Sequence, residues 1–267
     1  MSIPPVLLVG CGRMGSAMLS GWREQGLAPS VAVDPSPAAA EWAGSDLTVV
    51  PDFAAIPQEF APAAVVFAVK PQNAAETLPL YRQFVGDAVF LSIMAGRTIA
   101  GMLGLLGGEA AIVRAMPNTP AAVRQGVTVA CPGLGVETPQ RVLCERLLQA
   151  IGVVAWVEDE GLLDAVTAVS GSGPAYVFLL AELMEQAARE QGIPPDLARL
   201  LARQTVSGSG ALLAASSEDA AALRVAVTSP GGTTERALAV LMASEAWPAA
   251  LSKAIAEATV RSRELAG

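Results

Sequence analysis

A glycine-rich turn near the start of the chain constrains the fold more than any other feature. Glycines occupy the first, third and sixth positions of GCGRMG, residues 10–15. A short apolar run, Val6–Val9, precedes this turn, and a helix-like pattern over residues 16–25 follows it. A strand, a turn of this kind and a helix are together the context of the dinucleotide-binding fingerprint. The sequence therefore predicts a nucleotide-binding turn here.

Each glycine of the turn has a separate expected role. Gly10 would permit the tight turn, Gly12 would let the backbone approach a pyrophosphate, and Gly15 would let the helix pack closely against the strand. The first N–H groups of the helix would bind the anion. The alternative interpretation is a glycine-rich turn between a strand and a helix that binds no ligand.

Apolar runs of strand length alternate with helix-length segments through the first part of the chain. They are rich in Val, Ile, Leu and Ala and lack strict polar alternation, as expected of parallel strands covered on both faces. This pattern predicts an α/β fold with a doubly wound, Rossmann-like sheet. The runs are residues 6–9, 31–33, 64–69, 89–93 and 111–113.

The pattern changes after Trp156, where long Ala- and Leu-rich segments follow with no convincing strand. We predict a dinucleotide-binding domain over residues 1–158 and an all-helical substrate-binding and dimerisation domain over residues 159–267. So much apolar helix surface exceeds what a small bundle buries alone, so we expect self-association.

Composition excludes several classes of function. The chain has no histidine, so the usual proton donor of hydroxy-acid dehydrogenases and the commonest metal ligand are both missing. A net charge of −8 and only two lysines argue against a nucleic-acid surface. The three cysteines show no metal or disulfide spacing, and we expect no metal site. With no apolar run of about 18 residues and no basic leader, we expect a cytoplasmic protein.

Two charged residues stand where strands of the predicted sheet end. Asp34 lies about twenty residues beyond the glycine turn, where an acid can accept hydrogen bonds from the adenosine ribose and would repel a 2′-phosphate. The alternative is an Asp that caps a helix beginning at Pro35. Lys70, after the strand ending at Val69, could contact the cofactor ribose or phosphates, or could be a solvated side chain.

Loops after other strands would line the same crevice, namely residues 92–96 and 114–120. Arg97 or Arg114 could bind a substrate carboxylate, or either could form a structural ion pair. In the helical part, residues 228–234 (TSPGGTT) precede a helix. Their amides and hydroxyls could receive a carboxylate, although an elaborate helix cap is the simpler interpretation.

Taken together, these segments resemble the pyrroline-5-carboxylate reductases, which complete proline synthesis. The matching motifs occur in order along nearly the whole chain, and the last two are more specific than the glycine turn. They are GCGRMG, AVKPQ, SIMAG, RAMPNTP, DAVTAVSGSGPAY and TSPGGTT. The resemblance implies a Rossmann-like domain followed by a helical domain that interlocks with a second subunit, with an active site shared across a homodimer that could assemble further.

The resemblance also implies roles for individual residues. Thr234 would be the catalytic residue, as an orienting donor to the ring nitrogen of the substrate and not as an independent acid. The substrate set would be Glu160, Ser229, Gly232, Thr233 and Thr234. The cofactor set would be Gly10, Gly12, Arg13, Met14, Gly15, Ala68, Val69, Lys70, Pro71 and Ala95, with Ala95 beside the nicotinamide. Asp34 joins this set because of its position after the second strand.

The cofactor would be NADPH or NADH. Many family members carry an asparagine near the end of the third strand that helps to hold the cofactor, whereas this chain has Phe53. Together with Asp34, this difference favours NADH. Two other functions remain as alternatives. One is a hydroxy-acid or 6-phosphogluconate type of dehydrogenase, for which a suitably placed lysine is missing, and the other is a regulatory protein that binds the cofactor without turnover.

Overall fold

The computed structural model of the protein describes residues 2–266. Its strands are β1 (Val6–Val9), β2 (Ser30–Val33), β3 (Leu47–Val50), β4 (Ala64–Phe67), β5 (Val89–Ser92), β6 (Ile112–Met116), β7 (Gly126–Pro132) and β8 (Gly152–Trp156). They form one sheet in the order β3-β2-β1-β4-β5-β6-β7-β8. Neighbouring strands are parallel, except that β7 is antiparallel to β6.

The topology places a crevice at the carboxyl end of β1. The chain runs outward from β1 through β2 to β3 and then returns to β4 on the other side of β1. Connections that leave two adjacent strands in opposite directions open a gap above their carboxyl ends, where ligands of such folds bind. The predicted fold class, a Rossmann-like doubly wound sheet followed by a helical part, is confirmed.

Both faces of the sheet are covered, as the composition of the strands predicts. Successive residues of one strand point to opposite faces. Accordingly, Leu8 and Val66 belong to one buried apolar cluster, and their neighbours Leu7 and Val65 belong to another. The helices of this part are α1 (Arg13–Glu24), α2 (Ala74–Thr77), α3 (Ile99–Leu106), α4 (Thr138–Gln149) and α5 (Leu162–Val166).

The five predicted strands are all present as β1, β2, β4, β5 and β6, but the sequence did not predict β3, β7 or β8. β3 and β8 are the two edge strands of the sheet, and residues in each of them are partly exposed. Edge strands carry weaker apolar signals for that reason. Two boundaries were wrong by two residues or more, because β4 ends at Phe67 and not at Val69, and β6 continues to Met116, so that Arg114 lies within it and not after it.

After β8 the described chain is helical. A π-helical turn, Thr167–Gly171, follows α5. The remaining helices are α6 (Gly173–Glu190), α7 (Pro195–Ala215), α8 (Ala220–Ala226), α9 (Thr233–Leu241) and α10 (Trp247–Ala266). The chain divides into two compact units, one of residues 1–171 and 258–267 and one of residues 172–257. The domain boundary predicted at residue 158 stays a prediction.

The second unit buries little of its own apolar surface. Of residues 172–257, all described by the structure, only Ala198 and Ala202 are buried. Phe178, Val225 and Val240 are each more than 60% exposed.

The helical segment Leu162–Glu190 is long and apolar enough to cross a membrane, by length and composition alone. Only 11% of its most apolar stretch of 18 residues is buried.

Candidate active site

The glycine turn has the close approaches that two of its glycines were predicted to allow. Gly10 has a φ of +99°, and a Cβ built on it would lie 2.8 Å from the carbonyl oxygen of Ala68. A Cβ on Gly15 would overlap the carbonyl oxygen of Gly10. A Cβ on Gly12, in contrast, would meet no atom of the described residues within 4 Å. Packing therefore explains the first and last glycines but not the middle one.

The first turn of α1 is suited to an anion. Its N-cap residue, Gly12, has no side chain to bond the free N–H groups, and the first turn contains no acidic residue. Arg13, the first helical residue, is exposed and adds a positive charge. Uncapped N–H groups and the helix dipole both favour a phosphate at this position.

The carboxylate of Asp34 lies against this turn. Its Oδ2 accepts a 2.6 Å hydrogen bond from the backbone N–H of Cys11, and its Oδ1 accepts a 2.8 Å bond from the N–H of Ser36. The following 3₁₀ helix begins at Pro37 with Ser36 as its N-cap residue, so Asp34 does not cap a helix at Pro35. Each oxygen keeps further acceptor capacity for a ribose hydroxyl.

A cavity of about 310 Å³ opens at the carboxyl ends of β4, β5 and β6. It brings together five of the predicted cofactor-binding residues, which are Met14, Ala68, Val69, Pro71 and Ala95. The other lining residues are Ile93, Met94, Met116, Pro117, Asn118, Thr119 and Gly171. The expectation that the loops after β5 and β6 share one crevice is confirmed.

Except for Gly171, the residues of that second group lie within the segments predicted to line the crevice, residues 92–96 and 114–120, although none of them was assigned to the cofactor or the substrate. The signal for them was their position after two parallel strands, since such positions meet at the ligand-binding edge of a sheet. Gly171 gave no such signal, because it follows α5 and not a strand.

Three residues that the sequence singles out have other surroundings. Lys70 is exposed and is not one of the described residues that line this cavity. The ring of Phe53 packs edge-on against Tyr81 at 5.1 Å between centroids, so it is partly buried against the apolar core. The Nε of Arg97 donates to the carbonyl of Pro71 at 2.8 Å.

Arg114 and Glu160 form an ion pair. Nη1 of Arg114 lies 2.7 Å from Oε1 of Glu160, and the same oxygen accepts from the N–H of Ile99 at 2.8 Å. Arg114 is buried, so the pair neutralises a charge inside the protein. For Arg114, this geometry is that of the structural ion pair and not of a carboxylate clamp. Glu160 also lines a second, larger cavity of about 590 Å³.

In the second unit, the segment TSPGGTT forms the turn before α9. Gly231 has a φ of +72°, and its N–H donates to Oε2 of Glu235 at 2.7 Å. Gly232 is the N-cap residue, so no side chain caps the helix that begins at Thr233. Thr234 is the second residue of that helix and is half-buried. The helix end thus keeps N–H groups without a side-chain cap, but unlike α1 it already has a carboxylate, that of Glu235, in its first turn.

Comparison with known proteins fits this architecture. A family model described as pyrroline-5-carboxylate reductase dimerisation matches residues 160–265, and one described as NADP oxidoreductase, coenzyme F420-dependent, matches residues 5–96. The chain is 36% identical to a pyrroline-5-carboxylate reductase of Pseudomonas aeruginosa, over all of this chain and 98% of that protein. It is 34% identical to that of Pisum sativum, over 99% and 100% of the two chains.

The chain belongs to the pyrroline-5-carboxylate reductase family. The resemblance inferred from its motifs is confirmed, and it makes a dehydrogenase of the hydroxy-acid type the wrong alternative.

Solved structures of this reductase family share the fold at full length. The pyrroline-5-carboxylate reductase of Coxiella burnetii superposes with a TM-score of 0.91 at 30% identity, covering all of both chains. That of Plasmodium falciparum, solved with NADP bound, superposes with a TM-score of 0.83 at 26% identity, also over all of both chains. This chain therefore has an NAD(P)-binding oxidoreductase fold.

Proposed function

We propose that this chain reduces 1-pyrroline-5-carboxylate to L-proline, the last step of proline synthesis, using NADH or NADPH. The observation that carries the proposal is the 36% identity to a pyrroline-5-carboxylate reductase across the entire chain. A shared Rossmann-like domain alone would leave the substrate open. Similarity that also covers the helical part and its TSPGGTT turn argues against a protein that only binds the cofactor.

The residues of the first unit fit a dinucleotide. Open space beside Gly12 and the uncapped first turn of α1 suit the pyrophosphate, and the Asp34 carboxylate suits a ribose. The cavity lined by Val69 and Ala95 suits the nicotinamide end. A bound reduced dinucleotide supplies the hydride. In this proposal Arg13, Met14, Gly10, Gly15, Ala68, Lys70 and Pro71 complete the cofactor site.

We further propose a preference for NADH. The Asp34 carboxylate is half-buried beside the glycine turn and would repel the extra 2′-phosphate of NADPH. Phe53 supports this preference, because an apolar ring packed on Tyr81 cannot donate a hydrogen bond to a phosphate.

The TSPGGTT turn is the proposed substrate site. Ser229, Gly232 and Thr233 would hold the substrate carboxylate at the uncapped end of α9, and Thr234 would orient the ring nitrogen. Hydride adds to the carbon of the C=N bond while the nitrogen receives a proton. A threonine hydroxyl is too weak an acid to supply that proton alone, so Thr234 orients the substrate or relays a proton from water. Glu160 is proposed to border the substrate.

We also propose that the chain is cytoplasmic and forms a homodimer through its helical unit. Such dimers could assemble further. Large apolar side chains of residues 172–257 are exposed, and an interface with a second copy of this chain would bury them. Sedimentation of protein purified without detergent tests this. A dimer or a multiple of dimers is expected, whereas recovery only from the membrane fraction would instead assign the Leu162–Glu190 segment to a bilayer.

The deciding experiment mixes purified protein with 1-pyrroline-5-carboxylate and follows loss of NADH or NADPH absorbance. Rapid oxidation and the appearance of proline are expected. Thr234→Ala should lower kcat by about a hundredfold, in the range seen when a positioned donor is lost, while NADH affinity stays within about twofold. No oxidation by folded wild-type protein that still binds NADH would contradict the proposed reaction.

A further inference from the structure

Asn118 ties together two segments that are far apart in the sequence. Its Oδ1 accepts a hydrogen bond from the backbone N–H of Val127 at the start of β7, at 3.0 Å. Its Nδ2 donates to the carbonyl oxygen of Ser170 in the π-helical turn, at 3.2 Å. Both ends of one amide are therefore used, and each end holds a different backbone segment.

The sequence explains why the Ser170 carbonyl needs a side-chain donor. In an α-helix this carbonyl would accept from residue 174, which is proline and has no N–H. In a π-helix it would accept from residue 175, but the N–H of Ala175 is bonded to the carbonyl of Ser172 at 2.9 Å. Neither regular helical donor is available, and Asn118 supplies the hydrogen bond instead.

This hydrogen bond joins two walls of the 310 Å³ cavity. Asn118 and its neighbours Pro117 and Thr119 line one side, and Gly171, the residue after Ser170, lines another. The two sides are in close contact, because a Cβ on Gly171 would lie 2.6 Å from Cε of Met116. Loss of the Asn118 bond would let the π-helical turn move away from the loop after β6.

We propose that Asn118 is a positioning residue for hydride transfer. It fixes the π-helical turn against the loop after β6 and so sets the shape of the cavity beside Ala95. This inference rests on the proposed function, since it assigns the nicotinamide end of the cofactor to that cavity. The adenosine end, at Asp34 and the glycine turn, is held by other residues and would not depend on Asn118.

The proposal predicts a split between rate and affinity. Small misplacement of reacting groups costs rate steeply, so Asn118→Ala should lower kcat by about tenfold or more. The Kd for NADH should stay within about twofold, because the adenosine and pyrophosphate contacts remain. The deuterium isotope effect on kcat, measured with NADH labelled at the transferred position, should rise because hydride transfer becomes more rate-limiting.

Pro174 offers a specific rescue. Pro174→Ala restores a backbone N–H four residues after Ser170, so the carbonyl can find its donor within the helix. In the Pro174→Ala background, Asn118→Ala should therefore cost a smaller factor in kcat than it does in the wild type. Asn118→Asp keeps the acceptor for Val127 but loses the donor to Ser170, and it replaces Asn118→Ala if that variant does not fold.

A control separates this role from ordinary stabilisation. Oγ of Ser30 accepts a buried 3.0 Å hydrogen bond from the N–H of Val6 at the opposite, amino end of the sheet. Ser30→Ala should lower the Tm without changing the isotope effect or kcat measured well below the Tm. Three results would overturn the inference. The first is a change in kcat that is no larger in Asn118→Ala than in Ser30→Ala, and the second is a rise in the Kd for NADH that parallels the loss of kcat. The third is a loss of kcat on Asn118→Ala that is as large in the Pro174→Ala background as in the wild type. Inactive wild-type protein would instead refute the proposed reaction.

Discussion

Oδ2 of Asp34 accepts a 2.6 Å hydrogen bond from the backbone N–H of Cys11, which joins the end of β2 to the glycine turn after β1. The bond holds a negative charge beside the proposed pyrophosphate site. It also links the acid that would contact the ribose to the turn that would contact the phosphates. A substitution of Asp34 should therefore also alter the glycine turn at Cys11, and a change in the turn should alter the position of the Asp34 carboxylate.

Asp34→Ser should shift the cofactor preference toward NADPH. The change removes the carboxylate that would repel a 2′-phosphate and bind the ribose hydroxyls, so the NADH to NADPH ratio of kcat/KM should fall by about tenfold or more. Steady-state kinetics with both cofactors measure this. Asp46→Ser is the control, because Asp46 is ion-paired with Arg23 away from the turn. An unchanged ratio in Asp34→Ser would leave Asp34 with a structural role only.

The thiol of Cys11 should react slowly with iodoacetamide. Burial and the neighbouring Asp34 carboxylate raise its pKa to about 11. At pH 7.5 fewer than about one thiol in a thousand would then be ionised, and only the thiolate is a good nucleophile. The alkylation rate should increase with pH up to that value, as followed by mass spectrometry of the peptide containing Cys11.

Asp34→Asn tests the cause of that shift. Removing the negative charge favours the thiolate, so the pKa of Cys11 should fall and alkylation at pH 7.5 should accelerate by several-fold. Cys144 serves as the internal reference, because burial alone raises its pKa to about 12. Equal acceleration at both cysteines would indicate general loosening of the fold and not the loss of a local charge.

Gly12→Ala should weaken cofactor binding without destabilising the protein. The backbone at Gly12 is extended, with a φ of −63°, and within the part of the chain that the structure describes an added methyl would meet no atom within 4 Å. A bound pyrophosphate would occupy that space, so the Kd for NADH should rise by about tenfold or more while the Tm stays nearly constant. Titration of NADH fluorescence and thermal unfolding measure the two quantities.

Gly15→Ala is the matched comparison. Its Cβ would overlap the buried carbonyl of Gly10, so this variant should lose stability as well as affinity. If Gly12→Ala binds NADH as tightly as the wild type, the open space beside Gly12 does not hold the pyrophosphate.

The parts of this structure that could be predicted from sequence are those set by local pattern. β1, the glycine turn and α1 are contiguous, and their apolar spacing and glycines suffice to define them. The Arg114–Glu160 pair spans 46 residues and the Asn118–Ser170 bond spans 52. Such contacts depend on how strands and helices are placed in three dimensions, which no local pattern specifies. For Arg114 the sequence could therefore only leave both interpretations open.

The turn after β5 provides the last prediction. Gly96 has a φ of +68°, a backbone conformation that residues with a side chain rarely adopt. A Cβ built on Gly96 would lie 3.1 Å from the carbonyl oxygen of Leu265, in the last turn of α10. The neighbouring Ala95 lines the 310 Å³ cavity. Gly96→Ala should therefore strain the turn and push it from α10, lowering the Tm by several degrees and kcat by about tenfold. Gly104→Ala is a control of opposite sign, because Gly104 lies on the exposed side of α3 with no atom within 4 Å of an added Cβ. Alanine is the better helix former by about 0.5–1 kcal/mol, so Gly104→Ala should raise the Tm and leave kcat unchanged. Wild-type stability and kcat in Gly96→Ala would show that neither the turn conformation nor its contact with α10 matters for the cavity.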